Sequence, residues 1–408
     1  MESRKIRSSG LTLERLFSLV ILLCIFLGSL NLVNRYYYCI YIAALFFVMT
    51  PKRKLWFNFD FLILLFFSMS ILLFDPSSQT MVTNMIKPFT YPLCYLMGLS
   101  LFSFGGDRDI DIFQQEKRTS LVIFTVSAGV MLHFILNMIT NWEIDNRHVI
   151  DFWTNDEASA TGQATLACLM IAVSVSFLFS RVGKKKKIVA LFSLLLILTY
   201  NLILAGRTIF VLILISIGVA VLYTGYANKQ KYIKLILIVA LSVVLLLLLY
   251  NTDTFGIKTA FESSNFYDRF YGDSYAQDIE DDSRMENKLY YIKHFFDSML
   301  GGGHIREEFG HSAHDLYLDT YDEAGIFALI AIGTYILTSI LRVFKCARNK
   351  RLSFEIRLLC ICVCVVVNVQ FWLEPILRGI PWLLAAYCLI DGAVTRLLVE
   401  EKSMYNVS

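Results

Sequence analysis

Apolar residues run through this chain in long blocks broken by short polar segments. Twelve blocks, near residues 14–34, 36–50, 56–74, 86–104, 119–140, 160–181, 187–205, 208–226, 231–250, 323–343, 354–373 and 379–397, approach or reach the length of a membrane span. A helix needs about 20 such residues to cross about 30 Å of hydrocarbon. The second block is short and predicts a tilted or partly re-entrant helix. Residues 188–226 hold one charge, Arg207, and predict a helical hairpin. One polar segment differs from the rest: 251–322 is about 70 residues long, and loops of that length are uncommon and usually functional. Within it, Leu289, Ile292, Phe296 and Met299 recur at helical spacing. They predict an amphipathic helix over 284–299, resting on the membrane or on the helix bundle.

Composition agrees. Of 408 residues 56% are hydrophobic and 17% charged, and mean hydropathy is +0.58. Soluble domains have about 45–50% apolar and about 25% charged residues, so a water-soluble enzyme, a disordered chain and a nucleic-acid binder are excluded as classes. The net charge of +3 names no partner; the placement of charge is informative. Alternate connecting segments hold 26 of the 37 Lys and Arg, including Lys52–Lys54, Lys184–Lys187 and Arg342–Arg357. Basic segments stay cytoplasmic, which predicts both termini inside and the segments 141–159, the Arg207 turn, 251–322 and 374–378 outside. The first block lacks a small-residue cleavage site and reads as a retained helix. The expected organisation is a bundle over 1–250, an outer loop over 251–322 carrying the chemistry, and a closing bundle over 323–408. No transporter-type internal repeat is apparent.

Nine cysteines lie in apolar runs or, for Cys346, in a basic loop, and none lies in the long polar loops. They predict buried thiols and no disulfide framework. Five of six histidines fall in the outer segments, and His304, His311 and His314 are crowded into Gly301–Asp315. Three readings compete there. His311-x-x-His314 with Glu307 or Glu308 holds a metal, although the usual helical spacing is His-x-x-x-His. The histidines are ordinary solvated loop residues. Or one of them is a general base, since an imidazole pKa near about 6.5 suits proton abstraction from a hydroxyl. Gly301–Gly303 is not a phosphate loop, having no Gly-Lys-Ser/Thr after it, and predicts a flexible break before the histidines.

Arg207 and Arg378 stand at the outer ends of apolar stretches. Each reads either as an interfacial anchor, with Glu374 as an ion-pair partner for Arg378, or as a guanidinium aimed at phosphate. Arg284 and Arg306 are weaker candidates for the same task. Two guanidiniums can stabilise a diphosphate leaving group without a metal. With a histidine base, such a kit fits a polyprenyl-pyrophosphate-linked sugar and a hydroxyl acceptor.

The stretch from Ser283 to Ile330 resembles the O-antigen polymerase and O-antigen ligase superfamily. The likeness runs from Arg284 through Phe295–Gly303 to His311–Leu318 and Glu323–Ile330, with Asp315 where the family has Asn. Leu204–Thr208, Ala160–Thr161–Gly162 and Arg378–Pro381 resemble further family segments. The resemblance implies an all-α, GT-C-like polytopic glycosyltransferase of the bacterial inner membrane with a periplasmic active site. It implies inverting transfer with neither metal nor cofactor. His314 would be the base, and Arg207 and Arg378 would hold the pyrophosphate with Arg284 as a further contact. His311, Asp315, Tyr317 and Thr161 would touch acceptor or donor.

The expected reaction is polymerisation of undecaprenyl-pyrophosphate-linked oligosaccharide repeat units in lipopolysaccharide biosynthesis. Membrane lipids and a chain-length regulator protein are the expected partners, and no nucleic acid is. The alternatives are an O-antigen ligase, which hands the glycan to lipid A core, and a lipid-linked oligosaccharide transporter. A transporter predicts charges near the midplane of several spans.

Overall fold

The computed structural model describes residues 22–31, 58–75, 82–100, 112–141, 148–153, 157–227, 247–264 and 283–405, with residues 19, 155, 244, 245, 267, 268 and 271 beside them. About 85% of the structure is helical. Seven described helices are long and apolar enough to cross a membrane. They are α3 (Ile112–Thr140), α4 (Ala160–Phe179), α5 (Lys184–Leu204), α6 (Arg207–Ala227), α9 (Leu316–Arg348), α10 (Phe354–Leu373) and α11 (Pro381–Tyr405). The predicted blocks 56–74 and 86–104 appear as shorter helices, α1 (Phe59–Phe74) and α2 (Thr90–Ser100). Block 14–34 shows helix over 22–29. Block 36–50 and most of 231–250 lie outside the described residues. Two short helices complete the set used below, α7 (Ser283–Lys293) and α8 (His304–Phe309).

Local chemistry sets the helix starts. Asn58, Ser159, Asp315 and Ser353 cap α1, α4, α9 and α10, each accepting from backbone N–H groups of the first turn. Pro381 opens α11, where its missing N–H costs nothing. The predicted hairpin turns sharply: Ala205 ends α5 in the left-handed region and Arg207 already begins α6.

Burial separates inner helices from outer ones. α4 is 83% buried over its most apolar window and packs against α3, α5, α6 and α10. On α5, Ile188, Leu191, Phe192 and Leu195 are exposed, a face that suits lipid rather than water. α2 and α11 meet backbone to backbone: a Cβ on Gly98 would strike the Leu389 carbonyl, and one on Gly392 the Tyr95 carbonyl. Small residues permit such approach where helices gain little from burial against lipid. At one end of the bundle, Arg342 of α9 is held between Asp60 of α1 and Asp391 of α11.

Four local expectations change. Segment 141–159 carries a small antiparallel hairpin, with His148 opposite Ser159 and Ile150 opposite Glu157, the only strands among the described residues. It is tied to the end of α3 by His133–Asp151 (2.7 Å) and by Asn141, which bonds Ile150 through both its amide groups. Cys346 lies inside α9 and is buried, because the helix runs on through the basic residues to Arg348. The end of segment 251–322 is already helical from Leu316, and the backbone leaves the helix at Gly325, so the kink that separates these turns from the span lies just past the expected boundary at 322. Finally, the predicted amphipathic helix is regular only to Lys293 and then tightens into a 3₁₀ turn, Phe295–Ser298.

Candidate active site

Residues 283–325 form a compact cap with its own small core of Tyr291, Ile305, Ala313 and Tyr321. Tyr290 stacks between His294 and Phe309, both with ring centroids 4.2 Å away, and Phe295 stacks on Tyr321 at 4.0 Å. The apolar stripe on α7 does not feed this core. Leu289, Ile292, Phe296 and Met299 are all exposed, while Asn287, Tyr291 and Ser298 turn inward. An exposed apolar stripe on a polar helix has the form of an interfacial helix.

The three glycines make a tight junction, not a flexible break. Gly301, Gly302, Gly303 and Gly325 all have positive φ. Gly302 N donates to the Glu323 carbonyl (3.0 Å), Gly303 N to that of Asp322 (2.7 Å), and Ile326 N to that of Met299 (2.9 Å). A Cβ at Gly301 would stand 2.6 Å from the Glu323 oxygen, and one at Gly325 would stand 2.7 Å from the Leu300 carbonyl carbon. Only glycine accepts both the dihedral and the approach. The Asp322 carboxylate then receives the N–H groups of Ile305 and Arg306 at 2.9 and 3.2 Å, fixing the start of α8.

This junction delivers the histidine loop. Tyr291 donates to the His311 carbonyl (2.9 Å), Asn287 to the Ser312 carbonyl (3.2 Å), and Ala313 N to Asp319 (2.8 Å). Asp315 receives the N–H groups of Tyr317 and Leu318 at 2.9 and 2.7 Å. Between these anchors His314 adopts φ +58°. That conformation is uncommon outside glycine, and His tolerates it better than most residues. Its Nδ1 is buried with no hydrogen-bond partner. Buried polar atoms are nearly always paired, so such an exception calls for a reason.

The surroundings of His314 are cationic. Burial lowers its pKa below the usual imidazole value, and the charges of Arg284, Lys288 and His311 lower it further. Arg284 and Lys288 also reach the C-terminal carbonyls of α10: Lys288 donates to Trp372 (2.5 Å) and Arg284 to Leu373 (3.4 Å). Cations suit that end of a helix. Lys288 lies 3.4 Å from the buried Asp315 carboxylate, and Arg284 lies 3.7 Å from Glu374. Burial raises Glu374 to about 7, against the opposing pull of Arg284, a hydrogen bond from Thr161, and Lys288. Tyr317 packs on Trp372, with centroids 4.8 Å apart.

Of the eight residues singled out from sequence, six are joined by one chain of contacts: His314, His311, Asp315 and Tyr317 from the loop and α9, Arg284 from α7, and Thr161 through Glu374. Arg207 opens α6, just after a turn that reaches the start of α4. The space beside Gly206 abuts Ala160, the neighbour of Thr161, and Asn201 pins that turn by donating to the Gly206 carbonyl (2.8 Å). Arg378 stands apart. It is ion-paired with Glu323, not with Glu374, and Arg306 lies 3.6 Å from the same carboxylate. Arg378 and Glu323 border a cavity of about 360 Å³ with Lys87, Asn84, Asp75 and Tyr91, and neither Arg306 nor His314 is in its wall.

Asp315 is fully enclosed and occupied as a helix cap, which explains why an acidic residue is accepted there. His304 and His311 are exposed. Among the described residues no group of three His, Cys, Asp or Glu is arranged to hold a metal. Sequence reasoning missed Lys288 and gave Glu374 to the wrong arginine. One signal was present: Arg284, Asn287, Lys288 and Tyr291 form a polar stripe at helical spacing opposite the apolar one. No family model matches the chain, and no curated protein matches it.

Proposed function

We propose that this chain is a polyprenyl-pyrophosphate-linked glycan polymerase of the O-antigen polymerase type, working at the outer face of a bacterial inner membrane. The observation that carries the reading is the His314 site. It is a partly buried imidazole with a lowered pKa, held by four backbone anchors in the cap and acted on by the charges of Arg284, Lys288 and His311, with Glu374 beside Arg284. A histidine kept neutral at physiological pH has its lone pair available as a base. The fixed cations suit the charge that develops on a departing pyrophosphate.

In this reading the acceptor sugar hydroxyl gives its proton to His314 Nε2, since Nδ1 is enclosed. The hydroxyl oxygen bonds to the anomeric carbon of the donor glycan from the face opposite the leaving group. The bond from that carbon to the pyrophosphate oxygen breaks, and undecaprenyl pyrophosphate leaves with the electron pair. Arg207, at the N-terminus of α6, and Arg284 hold the leaving oxygens. Arg378, held by Glu323 on a separate cavity, takes no part in this step. The exposed stripe on α7 keeps the cap at the lipid surface, where both prenyl chains are anchored.

The test is to incubate purified protein with undecaprenyl-pyrophosphate repeat units and lipid A core, with and without EDTA. A ladder of lipid-linked oligomers that survives EDTA is the expected outcome. Single transfer onto the core would make the protein a ligase. No product with either acceptor would remove the transferase reading altogether.

A further inference from the structure

A large cavity bordered by described residues lies far from His314, at the opposite end of the bundle. It has a volume of about 830 Å³, in the upper part of the range of about 300–1,000 Å³ usual for small-molecule sites. Its floor is apolar, formed by Phe124, Phe177, Ile356 and Leu359, with Phe124 stacked on Phe177 at 6.3 Å. Leu121 and Val189 on its side are exposed and belong to the lipid-facing surface, so the cavity opens sideways towards acyl chains. Its mouth is basic. Lys117, Lys185 and Lys186 line it; Lys117 Nζ stands 4.4 Å over the Phe113 ring and Lys186 Nζ 5.3 Å over the Phe177 ring. Two carboxylates are also in the wall. Glu116 is committed to the Ser353 N–H (2.7 Å), and Glu355 lies in the first turn of α10.

We infer that this cavity is a binding site for an anionic phospholipid, with acyl chains entering past Leu121 and Val189 and the phosphate held by Lys117, Lys185 and Lys186. An apolar chamber that opens to the membrane beneath a cluster of ammonium groups matches a molecule with the same division. A zwitterionic lipid would bring its own cation against those lysines. Basic pockets between transmembrane helices are a known means of holding anionic headgroups. The occupant would also bridge α3, α5 and the turn before α10, all of which line the cavity.

The test uses the full chain purified in neutral detergent, titrated with phosphatidylglycerol or phosphatidylcholine, with bound lipid counted by native mass spectrometry. One phosphatidylglycerol should be retained at concentrations where phosphatidylcholine is not. Replacing Lys117, Lys185 and Lys186 by Gln together should weaken retention on the order of a hundred-fold, at about five-fold per lysine. Ser120→Trp, which fills the cavity and leaves every charge, should abolish retention as well, and it serves as the test if the triple variant does not fold. Equal retention of the two lipids, or unchanged retention in a folded variant of either kind, overturns the inference. So does displacement by excess inorganic phosphate, which would show a headgroup-only site. Glycan polymerisation is not the readout, so the outcome is independent of the reading of His314.

Discussion

Two clusters of buried charge sit at the two ends of α9, and they are built differently. At the basic end, Arg342 is gripped by Asp60 and Asp391, and every partner is itself satisfied. Asp60 also receives the hydroxyls of Thr338 (2.6 Å) and Tyr95 (3.2 Å), and Asp391 receives Ser339 (2.8 Å). At the cap end the contacts are long: 3.4 Å for Lys288–Asp315 and 3.7 Å for Arg284–Glu374, with His314 Nδ1 unpartnered. A closed network joins three helices and has nothing left to offer a ligand. An open one keeps donors and a lone pair in reserve, at a cost in stability that a purely structural cluster would not carry. Charge inside a membrane protein therefore does not by itself mark a candidate site; the state of its pairing is what separates these two clusters.

That contrast can be broken by experiment. The largest expected effect is on catalysis at the open cluster. His314→Ala should cut glycan extension by about 10²–10⁴-fold while the protein stays folded in the membrane. His314→Asn should do the same while tolerating the left-handed backbone, and normal extension by either would return His314 to structure alone. At the closed cluster the loss should be one of stability. Arg342→Ala leaves two buried carboxylates facing each other and should cost about 3–5 kcal/mol, read as a lower Tm in detergent, with normal specific activity in the fraction that folds. Equal activity losses at the two sites would erase the distinction.

Next in size comes the glycine junction. Gly325→Ala must hold a side chain at φ +80° against the Leu300 backbone. It should cost about 1–3 kcal/mol, appearing as faster proteolysis of the cap than of the bundle. Glu374 gives a pH test. Its pKa is raised to about 7 from an ordinary 4.5, so its contribution to stability is fully present below 4.5 and is lost as pH rises through about 7. The Tm of the parent protein relative to Glu374→Gln should therefore fall between pH 5 and pH 8. His314 runs the other way: its lowered pKa favours the folded state above 6.5, and that contribution is lost as pH falls towards the folded value. The smallest effect is expected of Tyr291→Phe, which removes one hydrogen bond to the His311 carbonyl and should cost about 1 kcal/mol, with a modest fall in extension.

Much of this organisation was legible in the residues. Long apolar blocks need no tertiary partner to declare themselves, because hydrocarbon allows little but helix across it. Nine of the twelve blocks coincide with described helices of at least 11 residues, though only seven of those are long enough to span. The histidines of Gly301–Asp315 were also legible, because imidazoles crowded into one polar segment stand out in an apolar chain, whereas Asp315, Tyr317 and Thr161 were named from the family resemblance and Lys288 was not named. The pairings were not legible. Arg378 and Glu374 are four apart and looked like partners, yet Glu323 takes the arginine and Arg284 approaches the glutamate. Both exchanges cross elements distant in sequence. Gly301–Gly303 suggested freedom because glycine permits it, and the fold uses that same freedom for close contact with Gly325.

The sequence by itself determined a helical membrane protein, the positions of most of its helices and the polar segment in which its histidines crowd. Each of these follows from local composition and from a solvent that penalises unpaired backbone. Only the tertiary structure decided which charges are closed off and which stay open, that Asp315 is a cap, and that Lys288 and Glu374 belong to the site. Those outcomes depend on distances between elements remote in the chain, which no periodicity encodes.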